Sequence, residues 1–152
     1  MIYTDLTKKA MKLCCEAHKD QTDKSGFPYV HHPLHVAESM PDEITAAVAL
    51  LHDVAEDTPY TLDDLRAMGF PAAVTDALAL MTHDGSVPYL DYVRTLSHDP
   101  VARRVKLADL AHNSDLSRLL GRVTDKDRER LARYQQAREI LLAAEEEVPY
   151  VP

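Results

Sequence analysis

The stretch from Leu50 to Asp57, Leu-Leu-His-Asp-Val-Ala-Glu-Asp, sets four ionisable side chains against an apolar helical run, and any fold must compensate them. At ~100° per residue on a helix, His52, Asp53, Glu56 and Asp57 fall on one face, with His52 and Glu56, and Asp53 and Asp57, one turn apart. Ala47, Val48, Leu50, Leu51, Val54 and Ala55 fill the remaining arc. The pattern predicts a helix held by its apolar side while the carboxylates and the imidazole look into a shared space. Burying such charges uncompensated would cost several kcal/mol, so a cation or a solvated cleft is expected opposite them.

The rest of the chain reads as helices. Gly26, Gly69, Gly85 and Gly121 lie between segments of helical periodicity, and most of the nine prolines also fall at boundaries. Leu6, Ala10, Leu13 and Ala17 give a first helix ending near His18 to Gln21. Pro33 suits a first helical position, with His32 at the mouth of a short helix through Val36 and Ala37. Asp42 can cap the helix carrying the central stretch, Thr61 with Asp64 and Thr124 with Asp127 resemble capping boxes, and Asp99-Pro100 is a cap followed by a first-turn proline. A further helix is expected over residues 87–96, and a last long one runs from Thr124 through Leu141. From Glu145 the chain is acidic and then bounded by proline, a pattern for a frayed or extended end. With no alternating strand pattern, the expected fold is all-α, a single-domain helical bundle over residues 1–147 with a tail at 148–152.

A chain of 152 residues is long enough to form one core without disulfides. Its net charge of −8 argues against a surface for nucleic-acid polymers or anionic membranes, so a phosphate ligand would need a metal or a few local cations. Cys14 and Cys15 are adjacent, read as buried helix residues, and suit a reducing compartment. Met1 to Leu13 lacks the apolar core of a signal peptide, and no apolar run approaches the ~20 residues that cross a bilayer. A cytoplasmic protein is expected.

Four candidate ligands stand out: His32, the pair His52 and Asp53, and Asp109 in an otherwise amphipathic segment. Imidazole nitrogen with carboxylate oxygen suits Mn²⁺, Fe²⁺ or Zn²⁺, and the absence of thiolates argues against a closed structural zinc site. A lone His-Asp pair is weak evidence, and the surrounding sequence supplies the specificity. Ala17-His18-Lys19-Asp20-Gln21, Lys24-Ser25-Gly26, Pro28-Tyr29, His32-Pro33, Leu50 through Thr58, Lys106-Leu107-Ala108-Asp109 and His112-Asn113 together resemble the HD superfamily of metal-dependent phosphohydrolases. Within it they resemble the RelA/SpoT-type alarmone-hydrolase domains and their small stand-alone relatives.

That resemblance implies an all-α HD-type bundle in which His32, His52, Asp53 and Asp109 hold one divalent ion, usually manganese. It implies that Glu56 and Asp57 act on the water, and that Lys24, Ser25 and Asn113 contact a small nucleotide. The implied reaction removes the 3′-diphosphate of a guanosine tetra- or pentaphosphate as pyrophosphate. Where the family has an arginine before the Lys-Ser-Gly turn this chain has Asp23, and where it often has Arg and Thr this chain has Leu110 and Leu116. An aspartate cannot stack on a base, which implies a weaker guanine preference. Hydrolysis of another nucleotide or small phosphate ester, and a non-catalytic domain stabilised by its metal, stay open as alternatives. Of the other histidines, His18 reads as a structural hydrogen bonder and His112 as support behind a ligand. Tyr89 and Tyr92 read as core, and Arg103 and Arg104 as a solvated helix face.

Overall fold

The computed structural model describes residues 1–152 and is all-helical. Nine α-helices follow in order: α1 (Asp5–Ala17), α2 (His31–Glu38), α3 (Glu43–Leu51), α4 (Val54–Asp57), α5 (Leu62–Ala67), α6 (Ala72–Met81), α7 (Tyr89–Leu96), α8 (Pro100–Asn113) and α9 (Asp125–Glu147). A 3₁₀ turn at Leu116–Arg118 lies between α8 and α9. The nearest approach to a strand is an isolated antiparallel bridge between Thr22 and Pro28.

Helix α3 is the axis of the bundle, packed by α1, α2, α6 and α8. Every residue from Thr45 to Leu51 is buried. A helix apolar on all sides belongs in a core, and the small Ala46, Ala47 and Ala49 leave room for neighbours to approach closely. Full burial of Leu50 and Leu51 contributes about 1.5–3 kcal/mol each, so truncating either would open a cavity where several helices meet.

The caps explain why the helices start where they do. Asp42 accepts the Thr45 amide at 2.8 Å, and Asp99 accepts that of Ala102 at 2.8 Å with Pro100 in the first turn. Thr61 with Asp64 and Thr124 with Asp127 form reciprocal capping boxes, as the sequence predicts. Thr4 and Thr7 form another that the sequence reading does not contain, because threonine at the third position lies outside the usual pattern.

Three boundaries differ from expectation. The central helix does not run through to Asp57 but breaks at His52 and Asp53, where α3 ends and α4 begins. The His52 ring nitrogen Nδ1 donates to the Ala49 carbonyl at 2.6 Å, competing with the backbone for that acceptor. Helix α2 starts at His31, so Pro33 sits in the third position, tolerated because a first-turn amide has no intrahelical partner anyway. Helix α7 starts at Tyr89 rather than Val87.

Helix α9 continues to Glu147, and the residues beyond it dock. The Tyr150 amide donates to Glu145 at 2.8 Å, and its hydroxyl donates to Asp42. Arg103 is buried rather than solvated: its Nε donates to Glu145 at 2.6 Å, one terminal nitrogen to the Ser97 carbonyl at 2.9 Å and the other to the Val148 carbonyl. Sequence periodicity cannot show this, because the partners come from distant segments. Cys14 is buried as expected, whereas Cys15 is exposed. No helix is long and apolar enough to cross a membrane.

Candidate metal centre and active-site cleft

Three segments deliver the candidate ligands. The first turn of α2 carries His32, the break between α3 and α4 carries His52 and Asp53, and α8 carries Asp109. Their donor atoms converge. His32 Nε2 lies 3.2 Å from His52 Nε2, 2.9 Å from Asp109 Oδ1 and 3.8 Å from Asp53 Oδ2, and His52 Nε2 lies 3.1 Å from Asp53 Oδ2 and 3.5 Å from Asp109 Oδ1. The break in the helix gives Asp53 the backbone freedom to turn toward the two imidazoles.

The surroundings set the tautomers. With His52 Nδ1–H committed to the Ala49 carbonyl, Nε2 is the ring nitrogen that faces the cluster. His32 Nδ1 lies 2.7 Å from His112 Nδ1. Burial, then the nearby Arg118 and the neighbouring histidines, push His112 down to about 4, so it is neutral at pH 7 and one proton bridges the two Nδ1 atoms. His32 Nε2 also faces the cluster, and His112 takes the supporting place that the sequence suggests.

Such a donor set fits a cation. Two ring nitrogens 3.2 Å apart, between two carboxylates, call for positive charge among them, as a proton or as a cation. Burial opposes charge on His52, yet Asp53 and Asp109 outweigh it and hold the imidazole well above its ordinary value. Burial likewise opposes ionising Asp109, but Lys106, 2.8 Å from Oδ2, and the histidines hold its carboxyl well below the usual range. Atoms sharing one ion at bond lengths of about 2.1 Å lie roughly 3.0–3.4 Å apart, comparable with the separations seen. His32, His52 and Asp109 thus form a buried cluster of metal-binding character.

A second acidic group adjoins it, with carboxylate oxygens of Asp53, Glu56 and Asp57 within 4.8 Å of one another. Glu56 Oε1 accepts the His83 amide at 3.0 Å. Burial raises both the Glu56 and Asp57 carboxyls above their usual values, and Asp53 adds to each shift. Gln21 donates to the Asp57 carbonyl at 2.7 Å and is held by the buried His18, whose Nδ1 lies 2.7 Å from Gln21 Oε1. His18 is thus a hydrogen bonder, as the sequence suggests.

From His32 a cavity of about 310 Å³ opens toward the loop at residues 22–25, the 3₁₀ turn and α9. Lys24, Ser25 and Asn113 all line it. Ser25 Oγ is occupied, donating to the Arg118 carbonyl at 3.1 Å and accepting the Leu120 amide at 3.2 Å, so it clips the two loops together. Asn113 Nδ2 donates to Asp109 Oδ1 at 2.8 Å, which fixes its amide at the cavity's inner end. Asp23 turns its Oδ1 to the amides of Ser25 and Phe27, at 2.9 and 3.0 Å, and Gly26, at φ 83° in the left-handed region, lets the turn close.

Several residues here escape a sequence reading. Tyr29, in the turn before α2, donates its hydroxyl to Asp53 Oδ2, and its place in the Pro28-Tyr29 motif was the available signal. Lys106, three residues before Asp109, carried a similar one. Arg118, Arg130 and Tyr134 line the cavity from the 3₁₀ turn and α9, and nothing local in the sequence joins them to the site. Tyr92 is core, its hydroxyl donating to the Met81 carbonyl at 2.6 Å.

An all-α bundle with a histidine, a His-Asp pair and a distant aspartate converging beside the pair defines the HD superfamily of metal-dependent phosphohydrolases. No protein-family model matches the chain. It is 35% identical over 124 residues to the human guanosine-3′,5′-bis(diphosphate) 3′-pyrophosphohydrolase MESH1, covering 72% of this chain and 69% of that protein. The zebrafish (Danio rerio) MESH1 is 36% identical over 129 residues, covering 76% and 71%. The bifunctional (p)ppGpp synthase/hydrolase SpoT of Escherichia coli K12 is 32% identical over 141 residues, and there the match spans 83% of this chain but only 20% of the relative. A solved structure described as a metazoan ortholog of SpoT that hydrolyzes ppGpp superposes with a TM-score of 0.72 over 97% of both chains at 21% identity, a likeness of fold. The chain belongs to the SpoT/MESH1-type family of HD hydrolases.

Proposed function

We propose that this protein is a divalent-metal-dependent pyrophosphohydrolase that removes the 3′-diphosphate of guanosine tetra- and pentaphosphate alarmones. One observation carries the reading: the donor atoms of His32, His52, Asp53 and Asp109 close on one point beside Glu56 and Asp57, at the inner end of a nucleotide-sized cavity. The names of the relatives support the substrate. His32, His52, Asp53 and Asp109 are the metal ligands, and their mixed nitrogen and oxygen set suits Mn²⁺, with Fe²⁺ or Zn²⁺ compatible. Bound there, the ion supplies charge neutralisation for the phosphoryl oxygens and a lowered pKa for water.

The chain's own residues do the rest. Glu56, held by the His83 amide, accepts the proton of the attacking water, and burial, with the charge of Asp57 beside it, raises its affinity for that proton. The water oxygen forms the new bond to phosphorus, the bond to the 3′ oxygen breaks, and a proton passes to that oxygen. The products are pyrophosphate and a nucleotide with a free 3′-hydroxyl. Lys106 and Asn113 orient Asp109, Tyr29 orients Asp53, and Lys24 faces the substrate's phosphates while Ser25 fixes the loop that carries it.

A second reading, hydrolysis of another nucleotide or phosphate ester by the same centre, is favoured by Asp23, which puts a carboxylate rather than a flat cation in the cavity wall. The test is to load the purified chain with Mn²⁺, supply a panel of nucleotides, and measure pyrophosphate and orthophosphate separately. Pyrophosphate from guanosine 3′,5′-bis(diphosphate) is the expected result. Orthophosphate from other esters, with that substrate untouched, would transfer the assignment to the second reading.

A further inference from the structure

Helix α4 carries Glu56 and Asp57 and is too short to hold them by itself. It is one turn of four residues in which only Val54 is buried, closed by backbone bonds from Asp57 to Asp53 at 2.9 Å and from Thr58 to Val54 at 3.1 Å. Helices below about 12 residues are marginal in water without outside support. Two distant segments supply it: the His83 amide donates to Glu56 Oε1 at 3.0 Å, and Gln21 Nε2 donates to the Asp57 carbonyl at 2.7 Å. A histidine outside the metal cluster sets each tether. Because Gln21 spends its Nε2 on a carbonyl, its Oε1 is the acceptor for His18 Nδ1–H at 2.7 Å, and this is the one hydrogen bond of the buried His18 ring, whose Nε2 has no partner. His83 Nε2–H donates to the Val87 carbonyl at 2.7 Å and so ties together the two ends of the loop after α6. Its ring packs on Tyr92 with centroids 4.7 Å apart, and Tyr92 is itself pinned to the Met81 carbonyl where that loop begins. Asp84 completes the turn, its carbonyl accepting the Val87 amide at 3.0 Å and its Oδ1 the Ser86 amide at 2.9 Å. The His83 ring thereby fixes the loop that aims its own amide at Glu56.

We infer that His83 and Gln21 are positioning residues for the proposed hydrolysis, clamping α4 between the loop after α6 and the turn after α1 so that Glu56 and Asp57 are held beside the metal centre. This rests on the pyrophosphohydrolase reading for what the two carboxylates do there. Neither residue touches the reacting atoms. His83 acts through its own backbone amide, which occupies one oxygen of Glu56 and leaves the second for the water. Gln21 acts through the Asp57 carbonyl and uses none of that residue's carboxylate. The two tethers arrive from segments 62 residues apart in sequence, about the 21 and 83 positions, so the orientation of the catalytic turn is a property of the packed bundle rather than of α4.

Double-mutant kinetics on the Mn²⁺-loaded full chain test this, together with hydrogen exchange read at single-residue level. His83→Ala should lower kcat for pyrophosphate release about tenfold, since misplacing a reacting group by ~1 Å costs up to about 10²-fold, with KM within about twofold and metal content unchanged. His83→Gln, whose amide can still donate to the Val87 carbonyl, should recover most of that loss. In a Glu56→Gln background His83→Ala should cost less than about twofold, because the carboxylate it positions is no longer a base. Gln21→Leu should lower kcat several-fold, again with KM and metal content held. Both side chains are half-buried, so these replacements should leave the bundle folded. Additive losses for His83→Ala and Glu56→Gln, or a rise in KM at constant kcat, overturn the clamp. Hydrogen exchange judges the geometry apart from the reaction: the His83 amide should exchange slowly in the unaltered chain and at least about tenfold faster in Glu56→Ala. A fast amide in the unaltered chain overturns the clamp, whereas a slow one with no pyrophosphate released from any nucleotide sinks the hydrolase reading and leaves the clamp standing.

Discussion

Replacing Glu56 by glutamine separates proton acceptance from everything else that side chain does. Glu56 Oε1 accepts the His83 amide at 3.0 Å, and glutamine keeps an oxygen that can accept the same bond, so the loop after α6 stays in place. The four candidate metal ligands are untouched, so metal content should not change. Burial disfavours the ionised carboxylate, so its pKa lies above the ordinary value and ionisation at neutral pH costs stability. A neutral amide removes that cost, and the melting temperature should stay level or rise slightly. What glutamine cannot do is take a proton, and loss of a general base costs about 10²- to 10⁴-fold, or roughly 2.7–5.5 kcal/mol on the barrier. The loss should appear in kcat with KM little changed, measured as pyrophosphate release from a Mn²⁺-loaded protein. In the unaltered protein activity should fall on the acid side as Glu56 takes up a proton, and that limb should vanish in the variant. A kcat within a few-fold of normal, with metal bound, would refute the role and move water activation to Asp57 or to the metal alone.

Three other outcomes follow from the geometry. His52→Ala and Asp53→Ala should each lose bound metal by elemental analysis, and retention at the unaltered level would refute the ligand assignment. Arg103→Met should cost about 2–4 kcal/mol by urea denaturation, because it strands the Ser97 and Val148 carbonyls and Glu145, with Glu145 partly rehydrated; a loss under about 1 kcal/mol would mean that the tail undocks without consequence. Base selectivity should be modest, with kcat/KM for guanosine and adenosine substrates within about tenfold, and Asp23→Arg should gain several-fold for guanosine only if the 22–28 turn survives losing its two amide contacts. Strong guanosine selectivity in the unaltered chain would place base recognition elsewhere in the cavity.

Local pattern was enough for the helices and their caps, because capping boxes and apolar periodicity are short-range physics: Thr124 with Asp127, Asp42 and Asp99 act within one turn of themselves. It also offered His32, His52, Asp53 and Asp109 as candidates, with the specificity carried by the motifs around them, and packing brings their donor atoms together. Where the central helix breaks was decided by tertiary structure, as the His52 ring commits one nitrogen to Ala49 and presents the other to residues from α2 and α8. The cavity's outer wall was decided the same way. Arg118 and Arg130 resemble surface arginines in sequence, Arg103 read as solvated, and Ser25 read as a ligand contact. Only packing of the 22–28 loop, the 3₁₀ turn and α9 against one another brings the first two to the cavity wall and gives Ser25 Oγ two backbone partners. The sequence alone determines which groups must be compensated, and long-range packing determines which groups compensate them, because a buried charge fixes its own cost while its partners are chosen by the approach of distant segments.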